Sequence, residues 1–236
     1  MSTLGERKLD SRQTPDMALR SVVRLSPIRA WLLHGVFGVV LGAFSFLEIV
    51  RSNTTLQWAF FGTSTAMLIC GGVVFVFSQG RGRVLRLNAN VRKQHFVQAI
   101  AQMVFFVYWG WYWRPAYDAV FLIAAQVVFA YGFEMLLCWS RRDLYTIGFG
   151  PVPIVLSINL FLWFRDDWFF LQFLLVALGF MAKELIRWNR NGQHVHIFNP
   201  SSFPLAIFSL GLIFFGASDL TWGQDIATTQ FFPPHV

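Results

Sequence analysis

Charged side chains are scarce in this sequence. Asp, Glu, Lys and Arg make up 13% of its 236 residues, whereas hydrophobic residues make up 56%. A soluble domain needs a polar surface and has about a quarter charged residues, so the scarcity excludes an ordinary soluble protein. The apolar residues gather in blocks of about 20, the length of helix that crosses a lipid bilayer. The composition therefore predicts an all-α fold, a polytopic integral membrane protein.

The sequence also lacks the motifs of soluble enzymes. It has no Gly-rich nucleotide loop, no Cys-x-x-Cys pair and no His-Glu-x-x-His helix. Cys70 and Cys138 each lie within an apolar block, so we interpret them as small buried residues and not as a disulfide or metal pair. His194 and His196 alternate, which would place them on opposite faces of an extended stretch. We assign no catalytic residue and no metal site, and expect at most a subunit of a membrane redox complex.

Seven apolar blocks predict about six to seven transmembrane helices, because lipid requires every backbone polar group to be paired within its segment. The weakest span begins at Gly148-Phe-Gly-Pro-Val-Pro153, where two prolines would kink the helix, delay its onset or leave a re-entrant stretch. We divide the chain into a polar N-terminal segment (1–29), a transmembrane domain (30–218) and a C-terminal tail (219–236). The blocks cover residues 30–50, 56–79, 95–113, 117–139, 145–164, 168–187 and 203–218.

The basic residues predict an orientation. With the N-terminus in the cytoplasm, all of the 19 Lys and Arg residues fall inside except Arg51, Arg114 and Arg165. Cytoplasmic loops carry such an excess of positive charge, so we expect a bacterial cytoplasmic (inner) membrane protein with its C-terminus outside. Because the net charge of +7 sits in these short loops, it does not indicate a nucleic-acid partner.

Two further patterns concern the ends of the spans and their packing. Trp163, Trp168 and Trp222 lie at the same predicted level as the aromatic belt Tyr108–Trp113, the outer face, where tryptophan anchors helices at the membrane interface. Gly38 and Gly42 are four residues apart in the first span, a spacing that lets two membrane helices approach closely. Neither pattern indicates a substrate.

Glu134 is an ionisable residue inside a predicted span. Such residues are costly in lipid, so each is a candidate for function. On one interpretation Glu134 is an ion or proton relay, and on the other it pairs with Arg141, Arg142 or a neighbouring helix. Lys183 and Glu184, in the last turns of the sixth span, are expected to reach the interface or to pair locally.

Polar residues crowd the entrance to the last span, within His194-Val-His-Ile-Phe-Asn-Pro-Ser-Ser-Phe203. A residue before proline avoids helical angles, so the helix should begin after Asn199, with Ser201 or Ser202 as its cap. The stretch is then simply a helix start. Alternatively, free N–H groups and a partial positive charge at that start would suit a phosphate or another anion. On this second interpretation Asn199, Ser201, Ser202 and His196 are candidate binding residues.

Two segments carry a resemblance to a known family. Phe198-Asn-Pro-Ser201, and the run Thr221-Trp-Gly-Gln-Asp-Ile-Ala-Thr-Thr229 followed by Pro-Pro-His, resemble the RnfD-like membrane proteins, and among them most the UnbU-like branch found in enediyne antibiotic clusters. The name refers to the D subunit of the Rnf electron-transport complex, which is related to the B subunit of the sodium-pumping NADH:quinone reductase. The resemblance covers roughly residues 30–236 and is sharp only near the C-terminal end.

The resemblance implies a helical membrane protein of two related halves that works with other membrane subunits. In some members it also implies a flavin (FMN), tethered through a threonine in a Ser-Gly-Ala-Thr motif. This chain lacks that motif, and Thr228 and Thr229 lack the surrounding glycine, so the covalent attachment is not transferred to them. The chain is expected to correspond to the N-terminal half only, with a second-half polypeptide as a partner.

Three functional hypotheses follow from the sequence. The first is a membrane subunit in flavin-dependent electron transport or an ion-coupled assembly, or in export associated with a biosynthetic pathway. The second is a channel or transporter for a small polar solute, with Gly148–Pro153 and Ser201 as half-helix ends facing a shared site. The third is a non-catalytic scaffold or an incomplete chain without independent activity.

Overall fold

The computed structural model describes residues 22–190 and 193–231, and within them the protein is nearly all helical. This confirms the all-α part of the predicted fold class. The helices are α1 (Pro27–Ala43), α2 (Glu48–Arg51), α3 (Thr54–Gly80), α4 (Lys93–Tyr112), α5 (Arg114–Asp118), α6 (Val120–Arg141), α7 (Pro151–Asn159), α8 (Phe170–Leu185), α9 (Ser202–Phe214) and α10 (Gly223–Phe231).

Three of these helices are long and apolar enough to cross a membrane: α1 with the short turn that continues it to Phe46, α3, and α6. The other predicted spans correspond to helices that are shorter or more polar. Helix α4 has 20 residues but carries Lys93, Gln94 and His95 in its first turn, whereas α8, α9 and α7 have 16, 13 and 9 residues. The count of six to seven spans stays a prediction.

The structure has short strands after α3, α6 and α8, and one more before α1. Strand β1 (Val23–Leu25) pairs antiparallel with β2 (Leu85–Ala89), and β2 pairs parallel with β3 (Leu144–Ile147), in the order β1-β2-β3. Strands β4 (Arg187–Arg190) and β5 (Gln193–His196) form a separate hairpin. The sequence analysis predicted none of these strands, because segments of three to five residues are too short to show a clear alternation of polar and apolar residues.

The loops at the strand-bearing end are joined by ion pairs. Arg83, in the loop before β2, lies 2.8 Å from Asp143 at the end of α6, and Arg142 lies 2.7 Å from Glu184 of α8. We call this the basic end of the molecule. Burying Leu85 and Tyr145 against the last turns of α6 fixes the three-stranded sheet there.

Helix α7 begins late, which is one of the three outcomes predicted for Gly148–Pro153. The chain stays extended through β3, and α7 starts at Pro151, where a proline in the first turn loses no hydrogen bond. The Tyr131 hydroxyl of α6 donates to the Gly148 carbonyl over 2.8 Å and holds the junction in place. A side chain at Gly148 would collide with the Asn90 carbonyl oxygen. An extended stretch and a half-length helix therefore replace one continuous span.

Helices α1 and α3 pack closely through the glycines noted in the first span. Gly38 faces Leu68, Gly42 faces Ser64, and the Ser64 hydroxyl donates to the Gly38 carbonyl over 2.7 Å. The prediction of a close helix contact at these two glycines is confirmed. This pair packs with α6, α7 and α8 around the main apolar core.

The opposite end of the molecule is rich in tryptophan. Trp163 lies 5.5 Å from Trp109 and 5.6 Å from Trp113 between ring centroids, and Trp222 lies 6.3 Å from Trp113. We call this the tryptophan end, and these contacts confirm a common level for Trp113, Trp163 and Trp222, three of the predicted residues. The predicted tail contains α10, whose Ile226 is buried among these rings.

Candidate functional site

Glu134 forms an ion pair with a neighbouring helix. Its carboxylate lies 2.6 Å from the ammonium of Lys183 on α8, and the two side chains are only 14% and 23% exposed. Of the partners predicted for Glu134, the neighbouring helix is the one observed. Glu184 pairs locally with Arg187 over 2.8 Å, as expected, whereas Lys183 pairs with another helix and not locally.

Two histidines lie within electrostatic range of this pair. His95, in the first turn of α4, interacts with both Glu134 and Lys183. His196, at the end of β5, interacts with Lys183 and Arg187. Partial burial, and then these two cations, lower the pKa of His196 below its usual value. His196 is therefore a weak electrostatic ligand for an anion at neutral pH.

Asn199 caps helix α9. Its side-chain oxygen accepts from the backbone N–H of Ser201 (3.0 Å) and of Ser202 (3.4 Å), and from the Ser201 hydroxyl (2.8 Å). The prediction of a cap at Ser201 or Ser202 is correct in position, because Ser201 is the N-cap residue of α9, but the capping oxygen comes from Asn199 and not from a serine. The reason is geometric, because an asparagine side chain bonds readily to the backbone N–H two residues ahead.

This cap uses donors that an anion would need. The N–H groups of Ser201 and Ser202 point to Asn199 Oδ1, and that of Phe203 donates to the Asn199 carbonyl over 3.0 Å. Among the predicted binding residues, His196 interacts electrostatically with Lys183, the partner of Glu134. Asn199, Ser201 and Ser202 instead form a local turn. Flavin or anion binding at this turn stays a prediction.

A buried cluster of amides was missed by the sequence analysis. Gln126 of α6, Asn159 at the end of α7 and Gln172 of α8 are each at most 1% exposed. Gln126 and Asn159 exchange hydrogen bonds of 3.1 and 2.8 Å, and the Gln172 amide lies 3.4 Å from the side-chain oxygen of each. Gln172 also accepts from the Phe164 N–H (3.1 Å), beyond the end of the short helix α7. We call these three residues the amide rung.

Two members of the amide rung, Gln126 and Gln172, lie on the same two helices as the Glu134–Lys183 pair, and the third, Asn159, lies on α7. Gln126 precedes Glu134 by eight residues on α6, and Gln172 precedes Lys183 by eleven on α8. At 3.6 residues per turn, eleven residues return to within about 20° of the same helix face and eight residues to within about 80° of it, about 16 Å and about 12 Å further along the helix. We call the Glu134–Lys183 pair the ion-pair rung.

An apolar layer separates the two rungs. Ala130, four residues after Gln126, and Val176, four residues after Gln172, are fully buried. Phe129 packs against Phe133 and Phe173 at ring distances of 5.3 and 5.2 Å. The α6–α8 interface is thus polar near each end and apolar between.

The missed residues carried a weak signal in the sequence. The prediction took only ionisable residues inside the spans as candidates and so passed over the neutral amides Gln126 and Gln172, although Gln172 and Lys183 are eleven residues apart, about three helical turns. His34 of α1 was also missed. It is fully buried, its Nε2 lies 3.1 Å from the Met67 carbonyl, and it packs against Gly71 of α3.

A cavity of about 260 Å³ lies at the tryptophan end. Gln126 and Asn159 of the amide rung contribute to its lining, as does Trp163. Asp118 and Asp166 also line it. The cavity places one end of the α6–α8 interface next to a space large enough for a small molecule.

Among residues 22–190 and 193–231, no group of three or more His, Cys, Asp or Glu residues could hold a metal ion. Comparisons of the chain with family models, curated proteins and solved structures find no match. The resemblance to RnfD-like proteins stays a prediction from the motifs alone.

Proposed function

We propose that this chain is an integral membrane subunit that carries a proton or another small cation along the interface between α6 and α8. The observation that carries the proposal is the pair of polar rungs on one helix pair, separated by a buried apolar layer. Neutral polar side chains also join membrane helices, but ionisable groups in such helices commonly mark an ion pathway, and the interface holds the charged pair Glu134–Lys183.

The ion-pair rung supplies the exchangeable charge. Lys183 neutralises Glu134 at 2.6 Å in a partly shielded position. A cation that arrives at Glu134 competes with the Lys183 ammonium, and a proton that arrives removes the attraction altogether. Binding of the cation and release of Lys183 are therefore linked, and this linkage is the elementary step that we assign to the site.

The larger assembly is proposed from the sequence resemblance. Membrane partners, a second-half polypeptide and flavin-dependent electron transfer all belong to that resemblance, and no contact in the described residues bears on them. A flavin absorption band retained by the purified protein in detergent would support electron transfer, whereas a colourless preparation would remove the basis for it.

A solute transporter is the second candidate, and one feature favours it. Helix α7 is half-length, follows an extended stretch, and ends at the amide rung. Broken helices of this kind border the substrate sites of many transporters.

The test is proton flux in vesicles. Purified protein is reconstituted with an internal pH-sensitive dye, and flux is measured after a pH gradient is imposed. We expect Glu134→Gln to lower the flux by about a hundredfold, the usual loss when a proton-transfer group is removed. Glu48→Gln is the matched control, because Glu48 is an exposed carboxylate of the short helix α2 and belongs to neither rung.

Folding must be separated from function in this test. Glu134→Gln leaves Lys183 without its partner, so the double variant Glu134→Gln/Lys183→Gln, which removes both charges, is measured beside it. We expect both variants to elute from a size-exclusion column as monodisperse protein in detergent, and to show low proton flux in vesicles. Wild-type flux in either well-folded variant would contradict the proposal.

A further inference from the structure

His95 lies beside the ion-pair rung, on a third helix. It stands in the first turn of α4, which begins at Lys93, and its side chain is half-buried. Its imidazole interacts electrostatically with Glu134 and with Lys183, the two members of the rung. A titratable group of α4 therefore faces the charged site between α6 and α8.

Contacts with the start of α7 hold this turn of α4 in place. The Phe96 ring packs edge-on against Phe149, with 5.2 Å between the ring centroids. A Cβ atom at Gly150 would lie 3.7 Å from Nδ1 of His95, so the imidazole lies next to Gly150. The position of His95 is thus fixed by the junction between β3 and α7.

Tyr131 ties the same junction to helix α6. Its hydroxyl donates to the Gly148 carbonyl over 2.8 Å, and it precedes Glu134 by three residues, about one helical turn. One short segment, 148–150, therefore joins the turn of α4 that carries His95 to the turn of α6 that carries Glu134. Tyr131 itself is a poor proton carrier at neutral pH, because a phenol ionises only at about pH 10.

His95 has the properties of a proton carrier. An imidazole gains and loses protons near neutral pH. Lys93 and Gln94, in the same turn, are exposed polar side chains, so this turn of α4 meets water at the basic end. The electrostatic partners of His196 are the cations Lys183 and Arg187, whereas those of His95 include the carboxylate of Glu134.

We propose that His95 relays protons between the solvent at the basic end and Glu134. A hydronium ion protonates the neutral imidazole and becomes water, and the imidazolium then passes one proton to a carboxylate oxygen of Glu134 and is neutral again. Glu134 loses its negative charge and releases the ammonium of Lys183, and the reverse order returns the proton to the solvent. This role rests on the proposed function and names the residue through which that site exchanges its proton.

Proton flux in vesicles tests the relay. His95→Gln keeps a polar side chain but removes the exchangeable proton, so we expect the flux to fall by about a hundredfold, the low end of the usual loss for a proton-transfer group. Lys93→Gln is the matched control, because it removes a titratable group from an exposed position in the same turn, and it should keep the wild-type flux. Equal flux in the two variants would overturn the relay.

Chemical rescue distinguishes a relay from a structural role. Added imidazole should restore flux in His95→Gln, after subtraction of the flux through protein-free vesicles, because the free base can carry the proton to Glu134. It should not restore flux in Glu134→Gln. A loss of flux in His95→Gln that imidazole leaves unchanged would overturn the relay and show that His95 only positions the helix.

The titration of His95 gives a readout that does not depend on flux. Isotope-labelled histidine in the full chain is followed by NMR in detergent, with His95→Gln to assign the signal. The charges that face His95 are Glu134 of α6, Lys183 of α8 and Arg92 directly before α4, and of these the carboxylate favours the protonated imidazole. Glu134→Gln should therefore move the titration of His95 to lower pH, whereas Glu48→Gln should leave it in place. An unchanged titration in Glu134→Gln would overturn the link between the two residues.

The two proposals fail separately in these experiments. Flux that Glu134→Gln removes and His95→Gln leaves unaltered would overturn the relay and keep the proposed function. Absence of flux in the wild-type protein, together with a His95 titration that responds to Glu134→Gln, would remove the proposed function and keep His95 as the group that exchanges protons with Glu134.

Discussion

At the scale of single residues, Asn199 shows how one side chain decides where a helix starts. Its oxygen binds two backbone N–H groups at the start of α9, which the sequence analysis had assigned to a serine. Both assignments place the helix start after Asn199-Pro200, because the proline restriction acts on the backbone whichever side chain caps it. The position of the helix was predictable, whereas the identity of the capping atom required the geometry.

Removing that cap should weaken α9. Asn199→Ala is expected to lower the free energy of unfolding by about 1 kcal/mol, the usual cost of a lost N-terminal cap. Ser202→Ala, at an exposed side chain in the first turn, should have little effect. Thermal unfolding in detergent measures both, and an equal loss of stability in the two variants would contradict the assignment of the cap to Asn199.

At the scale of helices, neighbouring glycines of α3 have opposite surroundings. A Cβ at Gly71 would overlap the His34 imidazole, whereas a Cβ at Gly72 meets nothing within 4 Å. Gly71→Ala must displace His34 from the Met67 carbonyl, so we expect a loss of about 1–3 kcal/mol from overpacking. Gly72→Ala should instead raise stability by about 0.5–1 kcal/mol, because alanine favours helix. Melting temperatures in detergent compare them, and similar shifts would contradict the close contact between α1 and α3.

The helices followed from the sequence more readily than the connections between them. Apolar blocks located every long helix, and the two prolines near Gly148 predicted an irregular start for α7. The strands β1, β2 and β3 could not be predicted, since their pairing joins segments that lie far apart in the chain. The amide rung has the same origin, because Gln126 and Asn159 meet only when α6 and α7 pack together. Glu134 was found because a charge in an apolar block is conspicuous by itself.

At the scale of the whole molecule, the polar features divide between two ends. Ion pairs and the ion-pair rung lie toward the basic end, while the cavity and the amide rung lie toward the tryptophan end. Ser52 marks the tryptophan end, because it adjoins Asn53, whose amide donates to Asp167 near Trp222. Arg81 marks the basic end, where it lies in the turn after α3. If the chain carries a cation across a membrane, these two ends must face opposite compartments.

Cysteine labelling in right-side-out membrane vesicles tests this claim most directly. Cys70 and Cys138 are replaced by alanine, and Ser52→Cys or Arg81→Cys is introduced singly at an exposed position. A membrane-impermeant maleimide should label Ser52→Cys in intact vesicles and label Arg81→Cys only after permeabilisation. Labelling of both cysteines from the same side would contradict the account.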